Sequence, residues 1–73
     1  MMDDVREQLG KNLRDHRERA GLSQEELAEI CDLDRTEISL LERGLRFPRL
    51  DTLVRLSRGL KLGSVTQLLE NIS

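Results

Sequence analysis

Two helix-start signatures, one at Ser23 and the next at Asp34, lie within LSQEELAEICDLDRTEISLLERG (Leu22 to Gly44) and constrain this chain more than any other feature. In the first, Ser23 can accept from the free amides that open a helix, Glu26 can reach back to the Ser23 amide, and Leu22 can pack on Leu27. The second repeats the grammar, with Asp34 at the cap, Glu37 at the third helical position and Leu33 against Ile38. Only Cys31 to Leu33 remain to turn the chain between them. The capping chemistry predicts two short helices, about 24–31 and 35–43, joined by a tight turn within a motif of about 23–43.

The flanking segments read as support for that motif. Val5, Leu9, Leu13 and Ala20 recur on one face, with His16 on the same stripe, so residues of about 5–20 form an amphipathic helix that Gly21 stops. Leu27, Ala28, Ile30 and Cys31 are expected inside the second helix. On the third, Ile38, Leu41 and Leu45 share one side and Thr36, Ser39, Leu40 and Arg43 the other. Leu40 breaks that pattern, since an amphipathic helix carries a polar residue there. Pro48 excludes helix at Phe47. Asp51 can cap a fourth helix of about 52–61 with Leu53, Leu56 and Leu60 inward, and Gly59 within it marks a helix packed on a neighbour. Ser64 to Gln67 repeats the capping pattern and opens a last helix to about Asn71, with Val65, Leu68, Leu69 and Ile72 apolar. Phe47 is the sole aromatic in 73 residues, so the core must be aliphatic. An all-α fold of five helices in one domain, 1–73, is expected.

The lone Cys31 excludes an internal disulfide framework, and no Cys/His cluster has metal-ligand spacing. A reducing cytoplasm fits, together with an acidic N-terminus and no run near the ~20 apolar residues of a membrane span. His16, Cys31 and the scattered carboxylates form no triad or carboxylate pair, so neither an enzyme nor a cofactor is expected. Net charge is −2, but residues 1–34 carry five basic and ten acidic side chains and residues 35–73 seven basic and four acidic. The basic half begins at Arg35, and that distribution, unlike the net charge, suits a nucleic-acid partner.

Leu13 to Arg17, GLSQEELA from Gly21 to Ala28, DRTEISLLERG from Asp34 to Gly44 and PRLDTLVRLSRGLKL from Pro48 to Leu62 together resemble the Cro/repressor-type, or XRE-like, helix-turn-helix DNA-binding domains of phage and bacterial regulators. The resemblance implies a compact lambda-repressor-like fold whose third helix enters the major groove while the second crosses the backbone. It also implies that Arg35, Thr36 and Leu40, with Ser39 beside them, face base edges, and that Gln24 meets a phosphate or braces the recognition helix. Arg43 meets a phosphate in this reading, and Arg17 and Glu42 form a partly buried salt bridge between the first and third helices.

The side-chain chemistry suits these roles. Arg35 can fork to guanine O6 and N7, Thr36 can serve a base or a phosphate, and Leu40 can offer only apolar contact to a thymine methyl. Arg43, Arg46 and Arg49 can neutralise phosphates, the alternative being a solvated loop face. Glu37 is tolerated near DNA where it caps, pairs with arginine or accepts from cytosine N4. Two positions depart from the family pattern: Leu40, where polar or basic residues are commoner, and His16, where Leu is usual.

Two function classes stay open at this level. One is a sequence-specific DNA-binding transcriptional regulator that binds a double-stranded operator as a homodimer; the other is an antitoxin-like module whose Leu40 and acidic first half bind a protein partner. The last helix, with Val65, Leu68, Leu69 and Ile72, either joins two copies or closes the core. Phage repressors, restriction-modification controllers and autoregulating antitoxins are all small members of the resembled family, and the residues do not choose among them.

Overall fold

A computed structural model describes residues 2–72, with side chains from Val5 onward; Met1 and Ser73, the ends of the expected domain, lie outside the described residues. Four α-helices run in order: α1 (Met2–Arg19), α2 (Gln24–Cys31), α3 (Arg35–Glu42) and α4 (Leu50–Gly59). The capping box of α2 closes, with the Glu26 amide donating to Ser23 Oγ at 3.0 Å and the Ser23 amide to Glu26 Oε1 at 2.8 Å. The bond from the Ser23 amide holds the Glu26 carboxyl below its ordinary range. Asp32 ends α2 at φ 56, a left-handed turn that Asp tolerates better than most residues. Asp34 then caps α3, its Oδ1 accepting from the Thr36 amide at 3.4 Å.

Several expected details are corrected. The second capping box is incomplete, because Glu37 pairs with Arg46. Asp51 lies inside α4, which starts at Leu50 with Arg49 at the cap and no side-chain cap bond. Ile30 and Leu45 are 55% and 58% exposed. Leu27, Ala28 and Cys31 already fill the inward arc of the two-turn α2, and Leu45 follows Gly44 (φ 72), after which the rotation of α3 no longer places it. Ala20 is likewise exposed just beyond the end of α1. The expected fifth α-helix is a 3-10 helix, Val65–Leu69, capped by Ser64 and followed by Asn71 at φ 66. So short a stretch gains too few i to i+4 bonds to offset helix nucleation. No strand occurs among the described residues.

Both α1 and α2 pack on α3, α4 packs on α2, and the 3-10 segment lies against α1 and α4. Leu13, Leu27, Ile38, Leu41, Leu56 and Leu68 are the largest fully buried side chains. Leu68 therefore belongs to this chain's own core and cannot join two copies; Val65, Leu69 and Ile72 are only half-buried. Asn12 fastens the segment, its buried amide donating to Leu68 O at 2.9 Å and Glu70 O at 2.7 Å.

Two glycines set helix spacing. A Cβ on Gly59 would lie 2.5 Å from Cys31 Sγ, which accounts for a glycine inside α4 where it meets α2. One on Gly10 would lie 2.5 Å from Leu41 O and 2.6 Å from Glu42 O, so α1 touches the backbone of α3. Helix propensity alone would make Gly10→Ala stabilising by about 1 kcal/mol. The clash with two backbone carbonyls should reverse the sign and cost about 1–3 kcal/mol in urea unfolding, whereas exposed Lys11→Ala should stay within about 0.5 kcal/mol.

Candidate nucleic-acid interface

Glu42, the last residue of α3, has a side chain only 4% exposed, and a buried carboxylate must be paired. Arg17 reaches it from α1 in a two-pronged contact, Nε to Oε2 at 2.6 Å and Nη2 to Oε1 at 3.0 Å. Gln24, at the start of α2, donates from Nε2 to Oε1 at 3.1 Å, and Arg17 Nη1 donates to Leu22 O at 2.8 Å. One carboxylate thus ties α1, α2 and the connection between them to the end of α3. Its hydrogen bonds raise the Arg17 pKa above the ordinary value against the opposing cost of burial. Gln24 thus braces the end of α3 through one of its two amide N–H groups.

The outer side of α3 follows from this anchoring. Arg35 and Thr36 are exposed on its first turn and Ser39 is half-buried one turn later. Arg43, the C-cap, is exposed at the other end. Neither Arg35 nor Arg43 has an ion-pair partner among the described residues. Leu40 is half-buried, less open than the expected apolar centre of a reading face. In the loop after α3, Arg46 pairs with Glu37 at 2.6 Å and Arg49 with Asp51 at 3.3 Å. The second pair, 83% and 55% exposed, is a weak surface contact.

Three features escape the pattern of the sequence. Gly10 and Asn12 sit within the apolar stripe of α1, where a helix-weakening glycine and a buried amide are the available signals of a close approach and a backbone clamp. The Glu37 to Arg46 pair joins positions that only the loop geometry brings together. His16 is half-buried, its Nε2 3.2 Å from Gln67 O, and Cys31 is buried with Sγ donating to Arg55 O at 3.5 Å. Burial pushes the Cys31 thiol pKa up, away from reactive thiolate. Among the described residues no His, Cys, Asp or Glu group could hold a metal, and no helix is long and apolar enough to cross a membrane.

A family model for the helix-turn-helix domain matches residues 8–70, and the chain belongs to that family. It is 46% identical over 66 residues to control protein C.SmaI of Serratia marcescens, across 90% of this chain and 77% of that protein. Control protein C.BamHI of Bacillus amyloliquefaciens is 41% identical over 61 residues, covering 82% and 75%. The fold superposes on the restriction-modification controller protein C.AhdI from Aeromonas hydrophila with a TM-score of 0.82 at 35% identity, covering 85% of this chain and 92% of that one.

Removing Arg17 alone strands the Glu42 charge. Arg17→Ala should cost about 3–5 kcal/mol in unfolding free energy, and an apolar pair of similar volume, Arg17→Met with Glu42→Leu, should recover most of it. Chemical denaturation of the two variants beside the parent checks both signs.

Proposed function

We propose that this chain is a DNA-binding transcriptional regulator of the controller type, a single helix-turn-helix domain that docks α3 in the major groove of an operator as a homodimer. The observation that carries this reading is an α3 anchored at its inner end by the Arg17, Gln24 and Glu42 network while Arg35 and Arg43 stand exposed at its two ends, with no ion-pair partner among the described residues. Eight steps of helix separate those arginines by about 12 Å, the width of the major groove. Arg35, Thr36 and Ser39 then face base edges, with Leu40 making a partial contact. Gln24, Arg43, Arg46 and Arg49 lie on the phosphates, a division that separates sequence reading from affinity. The relatedness to control proteins across most of this chain supports the same role.

Val65, Leu69 and Ile72, half-buried on the 3-10 segment, supply the apolar face through which two copies join. A two-fold dimer then spaces its recognition helices by ~34 Å, one turn of DNA. The regulator acts in the cytoplasm, without catalysis or cofactor. The half-buried Leu40 gives a protein-interaction reading no support of its own.

Selection from a pool of randomised duplexes should enrich a two-fold-symmetric sequence, and failure to enrich any sequence would overturn the reading. On the selected duplex Arg35→Ala should lose about 1–3 kcal/mol and relax preference at one base pair per half-site. Arg43→Ala should weaken all sequences alike and reduce the salt slope by about one per half-site. Affinity measured over a salt series distinguishes the two losses.

A further inference from the structure

The loop after α3 carries a contact that the anchoring of the helices does not require. Arg46 Nη1 lies 2.6 Å from Glu37 Oε1, across a groove also lined by Leu33, Asp34, Phe47 and Arg49. Glu37 occupies the third position of α3, where a capping glutamate is expected, and it takes the loop arginine instead. We propose that Glu37 is a positioning residue for operator recognition, holding Arg46 against the first turn of α3 so that DNA meets carboxylate and guanidinium as one unit. This role rests on the DNA-binding function proposed for the chain.

Burial and charge give the pair its effect. The side chains are 23% and 54% exposed, so the contact adds little to folding; what it fixes is the direction of a long, flexible arginine. Arg46 spends one of its five N–H donors on Glu37 and keeps the others for a DNA acceptor. A guanidinium ordered in advance loses less freedom on binding than a free one. The carboxylate also discriminates. While Arg46 stands between it and DNA, its charge is neutralised. In a misplaced complex that draws Arg46 to another phosphate, Glu37 is left bare against the nucleic acid, a repulsion that penalises the wrong sequence more than the right one.

The test is a double-mutant cycle on sequence discrimination. The probes are the duplex that the parent protein selects from a randomised pool and a scrambled duplex of equal length and composition. Glu37→Gln should tighten binding to the scrambled duplex about two- to threefold, through the removed negative charge. The same variant should lower the ratio of selected to scrambled affinity about tenfold, because the selected duplex also loses the benefit of an arginine ordered in advance. In an Arg46→Ala background, Glu37→Gln should tighten both duplexes equally and leave the ratio unchanged. Arg46→Lys should keep the salt slope but lose discrimination as Arg46→Ala does, since an ammonium lacks the fork. Matching thermal midpoints check that these surface variants keep the fold. An unchanged ratio in Glu37→Gln, or an equal fall with and without Arg46, overturns the positioning role. If the parent enriches no sequence, DNA recognition itself fails and the positioning role falls with it.

Discussion

Burying Glu42 is the constraint on which the arrangement of these helices depends. A carboxylate with 4% of its side chain exposed requires hydrogen-bond donors on every side, and they come from different elements: Arg17 on α1 and Gln24 on α2. Because Glu42 ends α3, satisfying it fixes where α3 terminates relative to both neighbours. Gly10 acts at the same junction by other means, since the missing Cβ lets α1 rest on the carbonyls of Leu41 and Glu42. Charge pairing and close packing meet at two successive residues, so α3 has little freedom to slide or roll without losing both.

That junction explains how a chain with a single aromatic side chain holds α3 in one place. Its core is almost wholly leucine and isoleucine, with Ala28 and Cys31 at the tight places, and such cores tolerate alternative packings. The polar contacts restrict them. Glu42 specifies the register of the three N-terminal helices, and Asn12 does the same for the C-terminal segment by binding the carbonyls of Leu68 and Glu70. Both networks satisfy buried polar groups across elements distant in sequence, so a competing packing must leave one of those groups unpaired.

The start of α2, the turn at Asp32 and the inward set Leu27, Ile38, Leu41, Leu53 and Leu56 were legible in the residues because each is decided locally, by capping, by left-handed tolerance or by helical period. Structure and local pattern part where tertiary geometry decides. The rotation of α3 does not extend past Gly44 to Leu45, the face of a two-turn helix is too narrow to include Ile30, and the capping pattern at Ser64 opens a segment too short to propagate as an α-helix. Leu68 was apolar in either reading, and only tertiary packing separates a core side chain from one facing a second copy. Of the candidate site, the exposed Arg35, Thr36 and Arg43 could be placed from the sequence, while the pairing of Glu37 with Arg46 could not, because the path of the loop from Leu45 to Arg49 decides it.

The two ion pairs attached to α3 differ in a way that follows from burial alone. Arg17 and Glu42, with 12% and 4% of their side chains exposed, lie where removing either partner leaves an uncompensated charge, so approaching DNA cannot exchange with them. Glu37 and Arg46 lie at the surface, where water, salt and phosphate compete on nearly equal terms. The buried pair holds α3 before any encounter, and the surface pair can be shared or released during one. A single eight-residue helix therefore carries one ion pair that fixes it in the fold and another that lies open to solvent.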